Sequence, residues 1–534
     1  MNRAPFICGS ALVAGAALLA GCQSQPPVAV TTAPAAAEGP QSRREQAMLD
    51  DLAVANRVLT TELAILDIQA HVTARSLDNA NHYYIARFIA PGAVVTTDFI
   101  ENDLESNSVD GPRNDQARET YLHGEIFKAR PDVMAVVHAH TPEFVSYGLS
   151  SVPLFDGVEA LPVFDLRPFN RGRSGIIGTA ALGKAMAEKM GSAEAVLLWG
   201  HGISLGAKSI PAAITRVALL RDQAKRQQLT IAAGGTWTPQ PHPVDDAEVE
   251  RTWAMTKAAV IKDMGGKVLR TAPPAAARPS DPVDLAKRDL VLANRILASE
   301  DVGVLDILGN VSVRHPSNPN TYFVAPKVAA GAVTVANVIE RDFTKGEADS
   351  EGLLIHDEIY RTHPEVKAVL YARTPEIVPF TGSVPLRASV NGANFIGEGL
   401  PRFDLASLGS GPFLSNPALA QGVAKALDRK GSVLLSGHGI VMTAASVYNL
   451  ADRSYQTKQN AKIQQQAIAL RGRVMYLVDL PAPPAPPAPP APAAAGGEAG
   501  RGTGQGAGPA QGGQQLGPPE GRAWVYWADH VSIE

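Results

Sequence analysis

The chain has 534 residues, with 48 Lys+Arg against 52 Asp+Glu, a formal charge of −4, a sequence pI of about 6.3 and 45% hydrophobic residues. Without a basic excess it does not have the composition of a polyanion binder, so no nucleic-acid partner is expected. At roughly 150 residues per domain the length predicts more than one core, while 48 Gly and 41 Pro place part of the chain outside any core.

Cysteine occurs only as Cys8 and Cys22, so disulfides cannot staple the body, and any metal there must be held by His, Asp or Glu. After Met1-Asn2-Arg3 the apolar run from Phe6 to Ala20 is too short for an ordinary transmembrane helix and has the shape of an export signal. It ends in Leu19-Ala20-Gly21-Cys22, which is similar to a bacterial lipoprotein cleavage box. Residues 1–21 are accordingly expected to be a signal peptide and Cys22 the lipidation site. Residues 22–45 would be a tether, with acyl chains holding the protein to the membrane of the cell envelope, facing the periplasm.

Self-similarity organises the rest. Ala55-Asn56-Arg57-Val58-Leu59 recurs as Ala293-Asn294-Arg295-Ile296-Leu297, and Leu66-Asp67-Ile68 as Leu305-Asp306-Ile307. Leu197-Leu198-Trp199-Gly200-His201-Gly202 recurs as Leu434-Leu435-Ser436-Gly437-His438-Gly439. An offset of about 235 residues is too long for a solenoid and suits a duplicated domain. The predicted domains are 46–233 and 284–480, joined by a linker over 234–283 with one helical stretch, Asp246 to Met264. Residues 481–534 read as a low-complexity tail of Pro-Ala-Pro-Pro and Gly/Gln runs, and its last aromatics, Trp524, Tyr526 and Trp527, as a frayed end.

Within the first repeat, Asp50 to Leu66 has helical spacing, Tyr83–Ile85 and Val133–Val137 read as strands, and Thr179 to Met190 as a helix closed by Gly191. Ala195 to Trp199 is a predicted buried strand and Pro211 to Leu229 a second long helix. Helices and strands without a regular βαβ beat predict a layered α/β domain.

Val136-Val137-His138-Ala139-His140 ends a β-branched run with two imidazoles two residues apart, which a strand aims at one face. A third imidazole, His201, stands between glycines that let the backbone bend and bring the ring close. Three neutral imidazoles with an open fourth position suit a catalytic divalent ion. Glu119, read as lying on a helix four residues before His123, is placed to transfer protons beside such an ion.

These segments, Glu119 to His123, Arg130-Pro131-Asp132 running into His140, and Gly200-His201-Gly202, resemble the class II aldolase/adducin family in order and spacing. The resemblance covers nearly all of both repeats and implies two tandem α/β/α layered domains with a site near a subunit interface. It also implies Zn2+ or Mn2+ bound by His138, His140 and His201, with Glu119 as acid/base. The family's phosphate-holding Gly-Asn-x-Ser-x-Arg segment stands in the second repeat as Gly309 to Arg314, and in the first as Ala70-His71-Val72-Thr73-Ala74-Arg75. That comparison makes His71, Thr73, Arg75 and Arg118 the substrate-binding candidates, and Arg75 and Arg118 suit a carboxylate.

The second repeat has Tyr371 and Arg373 where the first has His138 and His140, and a fixed guanidinium repels a divalent cation, so this repeat is expected to be metal-free. Its Glu351 stands five residues before His356 rather than four. Wording such as Arg118-Glu119 and Val163-Phe164-Asp165 is closer to the family's decarboxylases, which points to a small carboxylate-bearing substrate. Three readings stand at this point. The first is a metal-dependent carbon–carbon lyase working through a stabilised enolate, foremost a decarboxylase of a hydroxy-carboxylic acid. The others are a sugar-phosphate aldolase and a non-catalytic, adducin-like envelope scaffold. Retention of all four groups favours chemistry over the scaffold. The duplication predicts a pseudo-dimer able to form a homo-oligomer, with Arg373, Tyr371 or Arg402 completing the first repeat's site.

Overall fold

The structure, a computed structural model, describes residues 40–169, 175–241, 244–272, 278–346, 353–405, 416–427, 430–479 and 520–531. The expected signal peptide, Cys22 and Glu351 lie outside the described residues.

In the first repeat α1 (Pro40–Arg57) leads into β1 (His71–Arg75), β2 (His82–Ala86), β3 (Phe99–Asp103), α2 (Thr120–Ala129), β4 (Ala135–Ala139) and α3 (Pro142–Leu149). A small hairpin, β5 (Phe155–Asp156) with β6 (Glu159–Ala160), precedes β7 (Val163–Phe164), α4 (Ala180–Met190), β8 (Ala195–Leu198), β9 (Gly202–Ala207) and α5 (Ile210–Ala232). Side-chain caps fix where helices start: Thr141 accepts from the Phe144 N–H, Thr179 from Leu182 and Ser209 from Ala212. The helix expected over 50–66 ends early. After Arg57 the backbone widens into a π-turn at Val58–Glu62 and Ala64 takes φ +47°, which leaves Leu66 in a loop. The strand expected from Val133 starts at Ala135, because Val133 first closes a turn on the Arg130 carbonyl.

The strands form one sheet in the order β3-β2-β1-β4-β9-β8-β7, antiparallel except for the β7–β8 pair. Alternation along the strands sends apolar side chains to both faces. Val72, Val137 and Leu205 meet Leu52, Phe144 and Val217 from α1, α3 and α5 on one side, whereas Val136 and Val196 meet Ile126 and Met186 from α2 and α4 on the other. Helices on both faces give the α/β/α layering.

After the linker helix α6 (Asp246–Asp263), the second repeat retraces the path. Its elements are α7 (Pro282–Ala298), β10 (Asn310–Arg314), β11 (Thr321–Val324), β12 (Ile339–Asp342), α8 (Leu353–Thr362) and β13 (Ala368–Ala372), then β14 (Arg402–Phe403), α9 (Pro417–Ala426), β15 (Ser432–Leu435), β16 (Gly439–Ala444) and α10 (Val447–Ala469). The sheet order, β12-β11-β10-β13-β16-β15-β14, repeats the first strand for strand.

The two repeats share a core. Val145, Leu149 and Trp199 of the first lie in one apolar cluster with Leu450, Tyr455 and Ile463 of α10. The Met475 N–H donates to the Leu149 carbonyl at 3.0 Å across the join. The last aromatics are docked and not frayed: Arg522–Asp529 forms α11, with Trp524, Tyr526 and Trp527 buried in that same cluster. Burying an aromatic side chain of this size contributes roughly 1.5–3 kcal/mol, which tethers a short helix that propensity alone would not hold. No described helix is long and apolar enough to cross a membrane.

Candidate metal centre

His138 is the fourth residue of β4 and His140 follows the strand's last residue, so the period of two holds both rings on one side. His201 reaches them from the β8–β9 turn. Gly200 takes φ +61° there, and a Cβ on Gly202 would collide with the Ala139 carbonyl, so both glycines are needed for the close approach. Glu119 is not on the helix as expected; it is the residue before α2, with φ −109° and ψ 32°. From there its Oε1 accepts the Ile177 N–H at 2.9 Å and faces the histidines.

His138 Nε2 lies 2.9 Å from His140 Nε2 and 3.3 Å from His201 Nε2. Glu119 Oε2 lies 3.5 Å from His138 Nε2, and Oε1 lies 3.4 Å from His201 Nε2. The four ligand atoms fall within 4.8 Å of one another. The opposite ring nitrogens decide what this convergence means. His138 Nδ1 faces the Ile203 carbonyl at 3.0 Å, His201 Nδ1 the Gly175 carbonyl at 2.7 Å, and His140 Nδ1 the Asp67 carboxylate at 3.0 Å. Each acceptor calls for the hydrogen on Nδ1, which turns three Nε2 lone pairs inward beside a carboxylate. Acceptors crowded together without donors repel, and a shared cation removes the repulsion. The donor set, three imidazoles and a carboxylate, suits a divalent ion.

The electrostatics follow from the same contacts. Burial alone would raise the Glu119 carboxyl, but the His201 and His138 rings hold it well below the usual carboxylate range. Asp67 is likewise held down against its burial by His140 and by the backbone N–H groups of Gln69 and Ala70. Burial lowers His138 to about 4, a neutral ring at ordinary pH, while Glu119 raises His201 against burial.

The profile of the family "Class II Aldolase and Adducin N-terminal domain" matches residues 50–228 and 288–465. The chain belongs to this family. Among curated proteins it is similar to Decarboxylase tropJ of Talaromyces stipitatus, 29% identical over 189 residues, which cover 31% of this chain and 71% of that protein. It is also similar to a 3,4-dihydroxyphthalate decarboxylase of Rhodococcus jostii, 32% identical over 139 residues. That match takes in 25% of this chain and only about half, 55%, of the relative. A solved L-fuculose 1-phosphate aldolase from Glaciozyma antarctica is 18% identical, covers 44% of this chain and 96% of its own, and superposes with a TM-score of 0.33. Family and relatives together support a lyase enzyme of decarboxylase type; class II aldolases use a divalent metal, and the His/Glu cluster has the donors that could hold one.

The four residues expected to bind substrate separate in space. His71 sits directly opposite His138 across the β1–β4 pair, its ring 5.4 Å from that of His138, with Nε2 buried and unpartnered. Arg118 is exposed beside the site, its guanidinium over the Phe88 ring. Thr73 and Arg75 have their polar atoms engaged within the protein. Thr73 Oγ1 is bonded to His123 Nδ1 at 2.8 Å in the core, and Arg75 donates to the carbonyls of Ala80, Phe127, Val133 and Arg130, which leaves it no means of gripping a substrate carboxylate.

The second repeat's contribution also differs from expectation. A cleft of about 320 Å3 between the repeats is lined by Asp67 and His140 on one side and by Tyr455, Gln456 and Gln459 of α10 on the other. Arg373 is instead turned to Asp306 at 2.8 Å and Arg402 to the Gly382 carbonyl, each within its own repeat.

Proposed function

We propose that the chain is a divalent-metal-dependent decarboxylase of a hydroxy-carboxylic acid of the kind released in aromatic degradation, with Zn2+ or Mn2+ as the ion. The observation that carries this reading is the meeting of three inward Nε2 atoms with one carboxylate. When bound, the ion supplies a Lewis acid that stabilises negative charge on a substrate oxygen. His138, His140 and His201 would hold it through Nε2, and Asp67 with the Gly175 and Ile203 carbonyls would keep those rings turned inward.

Glu119, kept anionic by its neighbours, would accept the proton of a substrate hydroxyl. As the C–C bond to the carboxylate breaks, CO2 leaves and the electron pair stays on the carbon. Glu119 returns a proton to that carbon, and water restores the hydroxyl. The substrate class draws support from the relatives named as decarboxylases, one of them of 3,4-dihydroxyphthalate. The test pairs elemental analysis of the purified chain with CO2 release from 3,4-dihydroxyphthalate and simpler hydroxybenzoates. About one bound ion per chain and metal-dependent CO2 release are expected. A chain without metal or turnover is an adducin-like scaffold instead.

We also propose an envelope location through Cys22, on the strength of the Leu19-Ala20-Gly21-Cys22 segment. Radiolabelled palmitate should enter the native chain and not Cys22→Ser.

A further inference from the structure

Arg522 opens α11 at the far end of the chain, outside both segments that the family profile matches. Aromatic residues hold this helix in place. Trp524 meets Tyr448 edge-on with ring centroids 4.8 Å apart, and Trp527 meets Tyr455 at 5.2 Å, both on α10 of the second repeat. Tyr526 crosses to the first repeat, where Gly92 leaves room for it: a Cβ on that glycine would lie 2.5 Å from the tyrosine ring. Glu520, just ahead of the helix, pairs with Arg278. A helix clamped on both repeats has a fixed first residue.

That residue points its charge at the first repeat. The Arg522 guanidinium lies 3.9 Å from the centroid of the Phe88 ring, and the Arg118 guanidinium lies 5.6 Å from the same centroid. Neither has a hydrogen-bond or ion-pair partner among the described residues. Burial, with Arg118 adding to it and Asp67 and Glu119 opposing, lowers Arg522 to about 10, still a cation at neutral pH. Two cations against one ring repel each other unless an anion joins them.

Arg522 also lines a cavity with His71, Asn56 and Ala117, two residues before Glu119. His71 turns Nδ1 towards the Gln69 carbonyl, which leaves its buried Nε2 as a free acceptor, and its ring neighbours His138. The space is about 10 Å3, enough for one oxygen-sized group. A guanidinium beside an unused acceptor matches a carboxylate next to a hydroxyl.

We propose that Arg522, delivered by α11 and helped by Arg118, anchors a substrate carboxylate beside the metal ligands, which makes the C-terminal helix a specificity-determining part of the first repeat's site. This rests on the reading of the chain as a hydroxy-acid decarboxylase. The full chain loaded with Mn2+ is titrated calorimetrically with 3,4-dihydroxybenzoate and with catechol, which differ only in the carboxylate.

Arg522→Gln should weaken 3,4-dihydroxybenzoate about 10- to 100-fold, leave catechol within about twofold and leave the Mn2+ content unchanged. Trp527→Ala, which unseats the helix with the guanidinium intact, should give the same selective loss. Equal 3,4-dihydroxybenzoate affinity in the native chain and Arg522→Gln overturns the proposal. So does an equal loss of both probes, which would mark α11 as a packing element. Benzoate titrated into the metal-free chain separates the two readings. Weaker binding by Arg522→Gln there supports the anchor even in a chain that releases no CO2, and no difference there removes it even in a chain that does.

Discussion

The two repeats are one shape with two chemistries. Both place a histidine in a glycine-flanked turn, with Gly200 at φ +61° and Gly437 at φ +67°. Both leave no room for a Cβ on the next glycine, Gly202 or Gly439, which faces the end of the neighbouring strand. Both bury a second histidine on a hydroxyl, His123 on Thr73 at 2.8 Å and His356 on Ser312 at 2.7 Å. Both fold a loop onto an aspartate, Asp67 or Asp306, that accepts backbone N–H groups two and three residues on. The difference lies in the side chains offered to that frame. Asp67 orients the His140 ring, whereas Asp306 grips Arg373, and Tyr371 stacks on His438 with its hydroxyl buried and unpartnered. The second repeat thus carries as a fixed guanidinium the positive charge that the first would carry as an ion. Turn and aspartate belong to the fold; two side chains decide whether it can hold metal.

The sharpest way to break this comparison is to remove one imidazole from each side. His138→Ala should take bound metal from about one per chain to near zero and cut turnover on the order of 10^3-fold, while His438→Ala leaves both as they were. Elemental analysis and CO2 release read the result, and equal losses would dissolve the contrast. The converse is Tyr371→His with Arg373→His, which gives the second repeat three imidazoles with Asp306 placed to orient one. The stoichiometry should rise towards two, the second ion binding more weakly. A smaller effect is expected from the aspartates. Asp67→Asn should weaken metal binding about 10- to 100-fold and Asp306→Asn not at all, measured by competition with a chelator.

Much of this was legible in residues alone. The duplication, the strand pair His138 and His140, and the glycine-flanked His201 needed only order and spacing, because strands and tight turns carry local signatures. What escaped depends on contacts distant in sequence. Asp67 lies 73 residues from His140, and its recurrence as Asp306 was visible without revealing a partner. The Gly175 and Ile203 carbonyls that set two tautomers carry no side-chain signal at all. The charge of Arg75 suits a carboxylate when read from sequence, whereas its buried guanidinium satisfies backbone carbonyls of α2 and the neighbouring loops. The spacing puts Glu119 on a helix, and that helix starts one residue later. The docked end was missed because a Pro- and Gly-rich stretch isolates it, although Trp524 and Trp527, three residues apart, already mark one face of a helix.

The smallest effect separates fold from chemistry in the second repeat. Burial lowers His356 to about 4, with Arg341 adding to this and Asp357 opposing it. The unfolded chain, with an ordinary histidine near 6.5, binds a proton that the folded chain refuses, so stability falls as pH drops from about 6.5 towards 4. This histidine alone should cost about 1 kcal/mol between pH 7.5 and pH 6. Urea unfolding of the native chain and of His356→Asn, which keeps a polar group near Ser312, should show that pH slope shrinking in the variant. Metal binding to the first repeat should stay unchanged, since His356 serves the frame that the repeats share and not the ligands that divide them. A slope that survives the substitution would move the acid sensitivity to another buried group.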